Sequence, residues 1–213
     1  MPAESSAMTL PLYRAVPVLT AEELARAHCR RSSVRLPSNV PYVVDNLWEH
    51  LRPASMPCRR HAIYASPSPA LALANASGDD RGQGIGVYRL HISGECRIAQ
   101  LPWKDARWHP DIRRIQRLVQ QFQAGWADAA WDTRQRVAMV FAPGLNKADM
   151  EDALAQEPAL STFFEEARAL STFWADAQLE PSCTDGELFI ELLGDASYRL
   201  QALSRNEADF QPM

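Results

Sequence analysis

The sequence predicts an α+β fold in a single domain, with mostly antiparallel sheets and flanking helices. Three observations carry this. Short apolar runs with period two occur near both ends and in the middle of the chain, and period-3.6 stripes fill much of the rest. Strand-like and helix-like segments do not alternate as regular β-α-β units, which argues against a doubly wound parallel sheet. The 213 residues contain no internal repeat and no composition shift that would mark a linker, so residues 10–213 read as one domain behind a polar, frayed segment 1–9.

In chain order, Leu10 to Val16 reads as a strand, and Thr20-Ala21-Glu22-Glu23 as a capping box opening a short helix. Residues 32–60 are punctuated by Pro37, Pro41, Pro53 and Pro57, with one helix expected over VVDNLWEHL. His61 to Ser66 reads as a strand stopped by Pro67 and Pro69, and ALALANA as a helix. SGDDRGQGIG (77–86) is a loop by composition. Val87 to Ser93 alternates, with Tyr88, Leu90 and Ile92 on one face, and Gly94-Glu95 is expected to fold it into a hairpin with Arg97 to Leu101.

Ile112, Ile115, Leu118, Val119 and Phe122 stripe a helix with Pro110 in its first turn and Gly125 at its end. Arg136 to Phe141 reads as a strand. Asn146 with Asp149 starts a helix, and Phe164, Ala167, Leu170 and Trp174 mark one longer helix. Glu187 to Leu193 and Ser197 to Ala202 are expected to pair through a turn at Gly194-Asp195.

Composition excludes several classes of function. With 22 Lys+Arg against 26 Asp+Glu the net charge is −4, which disfavours nucleic acid as the principal partner. No apolar run reaches the ~18 residues of a membrane span. The N-terminus lacks a basic segment followed by an apolar one, so the expected location is cytoplasmic, or a target cell reached by a signal not readable here. Cys29, Cys58, Cys96 and Cys183 are scattered and read as free thiols, and no metal-ligand spacing occurs among His and Cys. Gly82-Gln83-Gly84-Ile85-Gly86 lacks the Lys-Ser/Thr of a phosphate loop and precedes a strand. Cys58 with His61 reads as structural rather than as a nucleophile and base. Trp103, Lys104, Arg107, Trp108, Arg113, Arg114 and Arg117 interleave aromatic and basic residues, a pattern that fits a solvated helix face with both tryptophans packing its base and, as the less favoured reading, a basic-aromatic surface for a partner or single-stranded nucleic acid.

Three segments combine differently. Arg14 sits inside an otherwise apolar first strand and needs an anionic partner. Tyr64-Ala65-Ser66-Pro67-Ser68 places Ser-x-Ser at a strand end before a helix. Asp185-Gly186-Glu187 places acid-x-Glu at the mouth of a late apolar strand. In this order the segments resemble the R-S-E class of the ADP-ribosyltransferase superfamily, the cholera-toxin-like branch. The resemblance covers these three segments. Asp185 stands where that class has Glu or Gln, and Pro67 follows Ser66 where it often has Thr. The nearest rival is the RES-type toxin, which shares the Tyr-Arg and Tyr-Ala-Ser strands. Its Gly-Arg-Trp segment and its acid in the following helix do not occur here.

The resemblance implies a mono-ADP-ribosyltransferase using NAD as substrate, with no metal and a protein acceptor, in a bacterial effector, toxin or phage-encoded modifier, for which an immunity or inhibitor protein is a candidate partner. Glu187 would bind the nicotinamide-ribose hydroxyl and stabilise the developing cation, with Glu191 as the fallback acid. Arg14 would bind the NAD phosphates or hold the ribose. Ser66 would orient Glu187 or the ribose, and Ser68, Tyr64 and Arg60 would line the NAD site. Asp185 would orient the acceptor, preferably an arginine. The alternatives are a catalytically silent binding module on the same fold and an NAD-consuming enzyme acting on water or nucleic acid.

Overall fold

A computed structural model describes residues 10–29, 33–76, 84–181 and 185–203. The glycine-rich loop prediction falls largely on residues outside these ranges, as do the expectations for residues 1–9 and Cys183. The elements run β1 (Tyr13–Pro17), α1 (Ala21–Ala25), β2 (His28–Cys29), α2 (Tyr42–His50), β3 (Ile63–Ala65), α3 (Pro69–Ala74), β4 (Ile85–Ser93) and β5 (Cys96–Gln100). They continue with a 3-10 turn (Ala106–Trp108), α4 (Pro110–Ala127), α5 (Trp131–Met139), α6 (Lys147–Gln156), α7 (Pro158–Leu170), α8 (Phe173–Asp176), β6 (Leu188–Leu192) and β7 (Ser197–Ala202). Among the described residues, no helix is long and apolar enough to cross a membrane.

The strands form two sheets, ordered β1-β4-β7-β2 and β3-β6-β5, and every pairing between these strands is antiparallel. The second sheet is the middle layer. Ile63, Ala65, Leu188, Ile190 and Leu192 face the first sheet, where Tyr88, Leu90 and Leu200 meet them. On its other face, Ala99 and Phe189 pack among the helices with Trp48, Ile115, Phe163 and Phe173. This double coverage is why LFIEL is buried at every position while β4 alternates.

Two expected hairpins do not form. β4 pairs with β1 and β7, and β5 with β6, so the chain leaves one sheet for the other at Gly94. It crosses again at Gly194, between β6 and β7. Both glycines have positive φ (95° and 54°), so the turn chemistry was legible and its outcome was not. The two corners pack on each other: the Leu193 N–H donates to the Glu95 carbonyl at 2.9 Å, and a Cβ on Gly94 would lie 2.8 Å from Ala196 Cα.

Arg136 to Phe141 is not a strand. Most of it lies in α5, whose Val137 is buried together with Val140 just beyond, three residues apart on the side facing the helical core. A short apolar run fits a buried helix face as well as a strand, and here the neighbouring helices decide. The single long helix expected through Trp174 is two helices. Asp111, fully buried, accepts from Ser171 Oγ (2.7 Å), Thr172 N–H (3.1 Å), Phe173 N–H (3.2 Å) and Trp48 Nε1 (3.1 Å). This carboxylate rewards the break at Ser171-Thr172 by supplying acceptors for backbone donors that the new helix start leaves open. α4 runs through Gly125 to Ala127, the expected capping box forms at Thr20/Glu23, and Asn146 with Asp149 starts α6 as expected, there forming a second capping box.

Candidate functional site

β1 belongs to one sheet and β3 to the other, and a single bridge joins them. Tyr13 and Ser66 exchange both backbone hydrogen bonds, each 2.8 Å. The bridge puts Arg14 and Ser66 at the edge of one cleft. β6 is the hydrogen-bonded neighbour of β3, and the residue entering it, Glu187, reaches the same cleft. The cleft encloses about 390 Å³ and is lined by Arg14, Tyr64, Ser66 and Glu187 together with Arg35, Arg59 and Asp105.

Glu187 is clamped by the segment 101–106. Its N–H donates to the Trp103 carbonyl at 2.9 Å, and its carbonyl accepts from the Leu101 N–H at 3.0 Å. Its Oε2 accepts from the Ala106 N–H at 2.9 Å. Gly186 makes this approach possible, because a Cβ there would lie 2.0 Å from the Leu101 carbonyl oxygen. Burial pushes the Glu187 carboxyl up to about 7, with the nearby Asp105 charge adding to it. Arg59, the Ala106 N–H and Arg35 pull the other way without reversing it.

Two of the cationic walls come from residues not singled out in the sequence. Arg59 is buried, donates to Asp45 Oδ1 at 2.9 Å, and is surrounded by the rings of Trp48, Phe173 and Phe189, each about 5 Å from its Cζ. Its Nε has no hydrogen-bond partner among the described residues. Arg35 stacks over the Tyr64 ring at 3.9 Å, and the Tyr64 hydroxyl donates to the Arg59 carbonyl at 3.2 Å. Burial raises the Tyr64 phenol, so it stays protonated. The third missed residue is Asp105, which accepts from Asn39 Nδ2 (3.2 Å) and from the Arg107 N–H (2.7 Å). The adjacent pair Arg59-Arg60 was the available signal, and only the fold says which of the two faces the cleft.

The other candidates lie elsewhere. Arg60 is buried and outside the cleft lining, donating to Asp45 Oδ2 (2.9 Å), Asn46 Oδ1 (2.7 Å) and the Leu145 carbonyl. Ser68 is the N-cap of α3, where its Oγ accepts from the Leu71 N–H at 3.3 Å. Glu191 is the fourth residue of β6, where it accepts from the Cys58 N–H at 2.9 Å with Arg97 3.8 Å away, and it does not line the cleft. Asp185 is exposed and outside the cleft lining. Cys58 is buried, and its thiol is raised by that burial and by Glu49, which keeps it un-ionised. Among the described residues, no group of three His, Cys, Asp or Glu is arranged to hold a metal ion.

No family model matches the chain, and no curated protein or solved structure matches it either. The chemistry therefore rests on the cleft itself. Guanidinium groups at its edge and floor suit phosphate or carboxylate oxygens, because the planar fork donates in pairs. A carboxylate in a water-poor recess suits an electron-deficient centre, since its charge is already oriented.

Proposed function

We infer that this protein is a mono-ADP-ribosyltransferase that moves ADP-ribose from NAD to a protein acceptor. The observation that carries the reading is that Arg14, Ser66 and Glu187, from three distant segments, line one cleft in which the acid is buried. The resemblance of those segments to the R-S-E class supplies the reaction. A volume of about 390 Å³ lies within the ~300–1,000 Å³ of small-molecule sites, and suits the nicotinamide-ribose half of a dinucleotide with phosphates towards Arg14.

In this reading the bond between nicotinamide and ribose C1 breaks, and its electron pair leaves with nicotinamide as the neutral base. The ribose acquires oxocarbenium character, which the Glu187 carboxylate stabilises at close range. The Ala106 N–H holds one carboxylate oxygen in place, leaving the other to accept from a ribose hydroxyl. Tyr64, with Arg35 across its ring, forms a flat wall for the base. The acceptor nucleophile then bonds to C1 and releases its proton to solvent water.

The test is incubation of the protein with labelled NAD and cell lysate, beside Glu187→Gln. Nicotinamide release and label on protein, both reduced at least ~100-fold in the variant, are the expected result. No release and no transfer by the unaltered protein would overturn the reading in favour of a silent binding module.

A further inference from the structure

The 105–108 segment has two sides. Asp105 and Ala106 form a wall of the cleft, and the next two residues, Arg107 and Trp108, open a separate groove of about 460 Å³ along the first turns of α4. Trp103 packs inward against His109, 4.5 Å between ring centroids, but Trp108 is 61% exposed, with the Arg107 guanidinium 5.3 Å above its ring. The expectation that both tryptophans pack the helix base therefore holds for Trp103 alone.

The groove is lined by Trp108, Pro110 and Ile112 and rimmed by Arg107, Arg113, Arg114 and Arg117. All four arginines are exposed. The acids of this stretch, Asp105 and Asp111, are both buried, and each answers one arginine: Asp105 pairs with Arg107 at 3.2 Å and Asp111 with Arg114 at 3.7 Å. Arg113 and Arg117 have no ion pair among the described residues. A protein of net charge −4 thus carries a concentrated positive, half-apolar surface on α4 and on the 3-10 turn before it, whose Ala106 N–H bonds Glu187.

We propose that this groove docks an acidic segment of the acceptor protein, carrying an apolar or aromatic side chain that packs on Trp108. Carboxylates would pair with Arg113 and Arg117, and a chain bound there leads over Arg107 to the cleft wall. Charge complementarity selects an acidic occupant. A peptide fits better than a nucleic acid for two reasons. Single-strand binders stack successive bases on several rings, and this groove offers one exposed ring. The arginine rim on α4, Arg113 to Arg117, covers only just over one helical turn, roughly 6 Å, beyond which the acidic remainder of the protein would repel a long polyanion. The role as acceptor dock rests on the transferase reading above; the binding itself does not.

The experiment measures binding of a short fluorescein-labelled glutamate-rich peptide bearing one phenylalanine, by anisotropy, without NAD. A serine-rich peptide and an oligothymidylate of matched charge are run beside it. The expected result is salt-sensitive binding of the acidic peptide, tighter than either control. Arg113→Glu/Arg117→Glu should weaken it at least ~10-fold, and Trp108→Ala several-fold. All three sites are exposed, and circular dichroism checks that the variants fold. Nicotinamide release into water should stay unchanged in these variants while label transfer to protein falls. Tighter binding of the oligothymidylate would overturn the proposal in favour of a nucleic acid. No binding of the acidic peptide, or binding indifferent to the charge reversals, would overturn it outright. Peptide binding without any nicotinamide release would instead remove the transferase reading and leave the groove.

Discussion

The Ala106 N–H points at Glu187 Oε2 from 2.9 Å and is a neutral donor, so the nearest hydrogen bond to this buried acid does not cancel its charge. Asp105, the residue before, adds a like charge. The acid is therefore held, with a carboxyl group at about 7, in a state that folding disfavours and chemistry can use.

The pH dependence follows with a definite sign. Glu187 must be ionised to stabilise a cation, so kcat/KM should fall tenfold per unit below about pH 7. Bound nicotinamide carries positive charge and favours the carboxylate, so the kcat profile should break at lower pH than kcat/KM. A pH-independent kcat/KM between about pH 5 and 8 would contradict the assigned role.

The same raised value has the opposite consequence for stability. Because the folded carboxyl lies above its ordinary 4.5, its favourable contribution is complete below about pH 4.5 and is lost as pH rises through about 7. Glu187→Gln should therefore raise Tm at about pH 8 and change it little at about pH 5. The gain at alkaline pH is on the order of 3 kcal/mol before relaxation is counted. Thermal melts at the two pH values check this, and a variant less stable at pH 8 contradicts it.

Arg60 and Arg14 should fail differently. Arg60 shares the buried Asp45 with Arg59 and makes no lining of the cleft, so Arg60→Ala should cost about 3–5 kcal/mol in denaturant melts. The fraction that remains folded should bind NAD normally. In the proposed reading Arg14 pairs with the NAD phosphates, so Arg14→Ala should instead weaken NAD binding at least ~10-fold, read by calorimetry.

The two serines of Ser-x-Ser divide in the same way. Ser68→Ala removes a helix cap and should lower stability by about 0.5–1 kcal/mol with nicotinamide release unchanged. Ser66→Ala should reduce nicotinamide release while leaving the Tyr13 backbone bridge in place. Gly186→Ala should reproduce the activity loss of Glu187→Gln, since its Cβ cannot coexist with the Leu101 carbonyl 2.0 Å away; a fully active Gly186→Ala would refute the clamp.

Asp185 tests the acceptor. It is exposed and two residues before Glu187, with a carboxylate able to orient a guanidinium. Asp185→Asn should suppress modification of arginine on protein more than it suppresses nicotinamide release, by mass spectrometry. Equal loss of both, or ADP-ribose on another residue type, would reject arginine as the acceptor.

The sequence by itself determined what is local. Thr20 and Asn146 cap helices because their side chains reach donors three residues on, and Tyr88 and Leu90 share a face because strands alternate. Arg14, Ser66 and Glu187 stood out only in combination, because a charge inside an apolar strand, a Ser-x-Ser at a strand end and an acid-x-Glu at a strand mouth, in that order, resemble the R-S-E class. The tertiary structure decided everything that depends on a partner distant in sequence. Gly94 and Gly194 announced turns, but whether a turn closes a hairpin or carries the chain to the other sheet depends on which apolar face lies opposite, and that face comes from β1 and β3 far upstream. Ser171-Thr172 breaks a helix only because Asp111, sixty residues earlier, offers three acceptor contacts there. Asp45 on α2 holds both guanidinium groups, and Arg59 lines the cleft while Arg60 does not because Asn46 and the Leu145 carbonyl capture the second one; a side chain's burial partner is a property of packing that no neighbouring residue encodes.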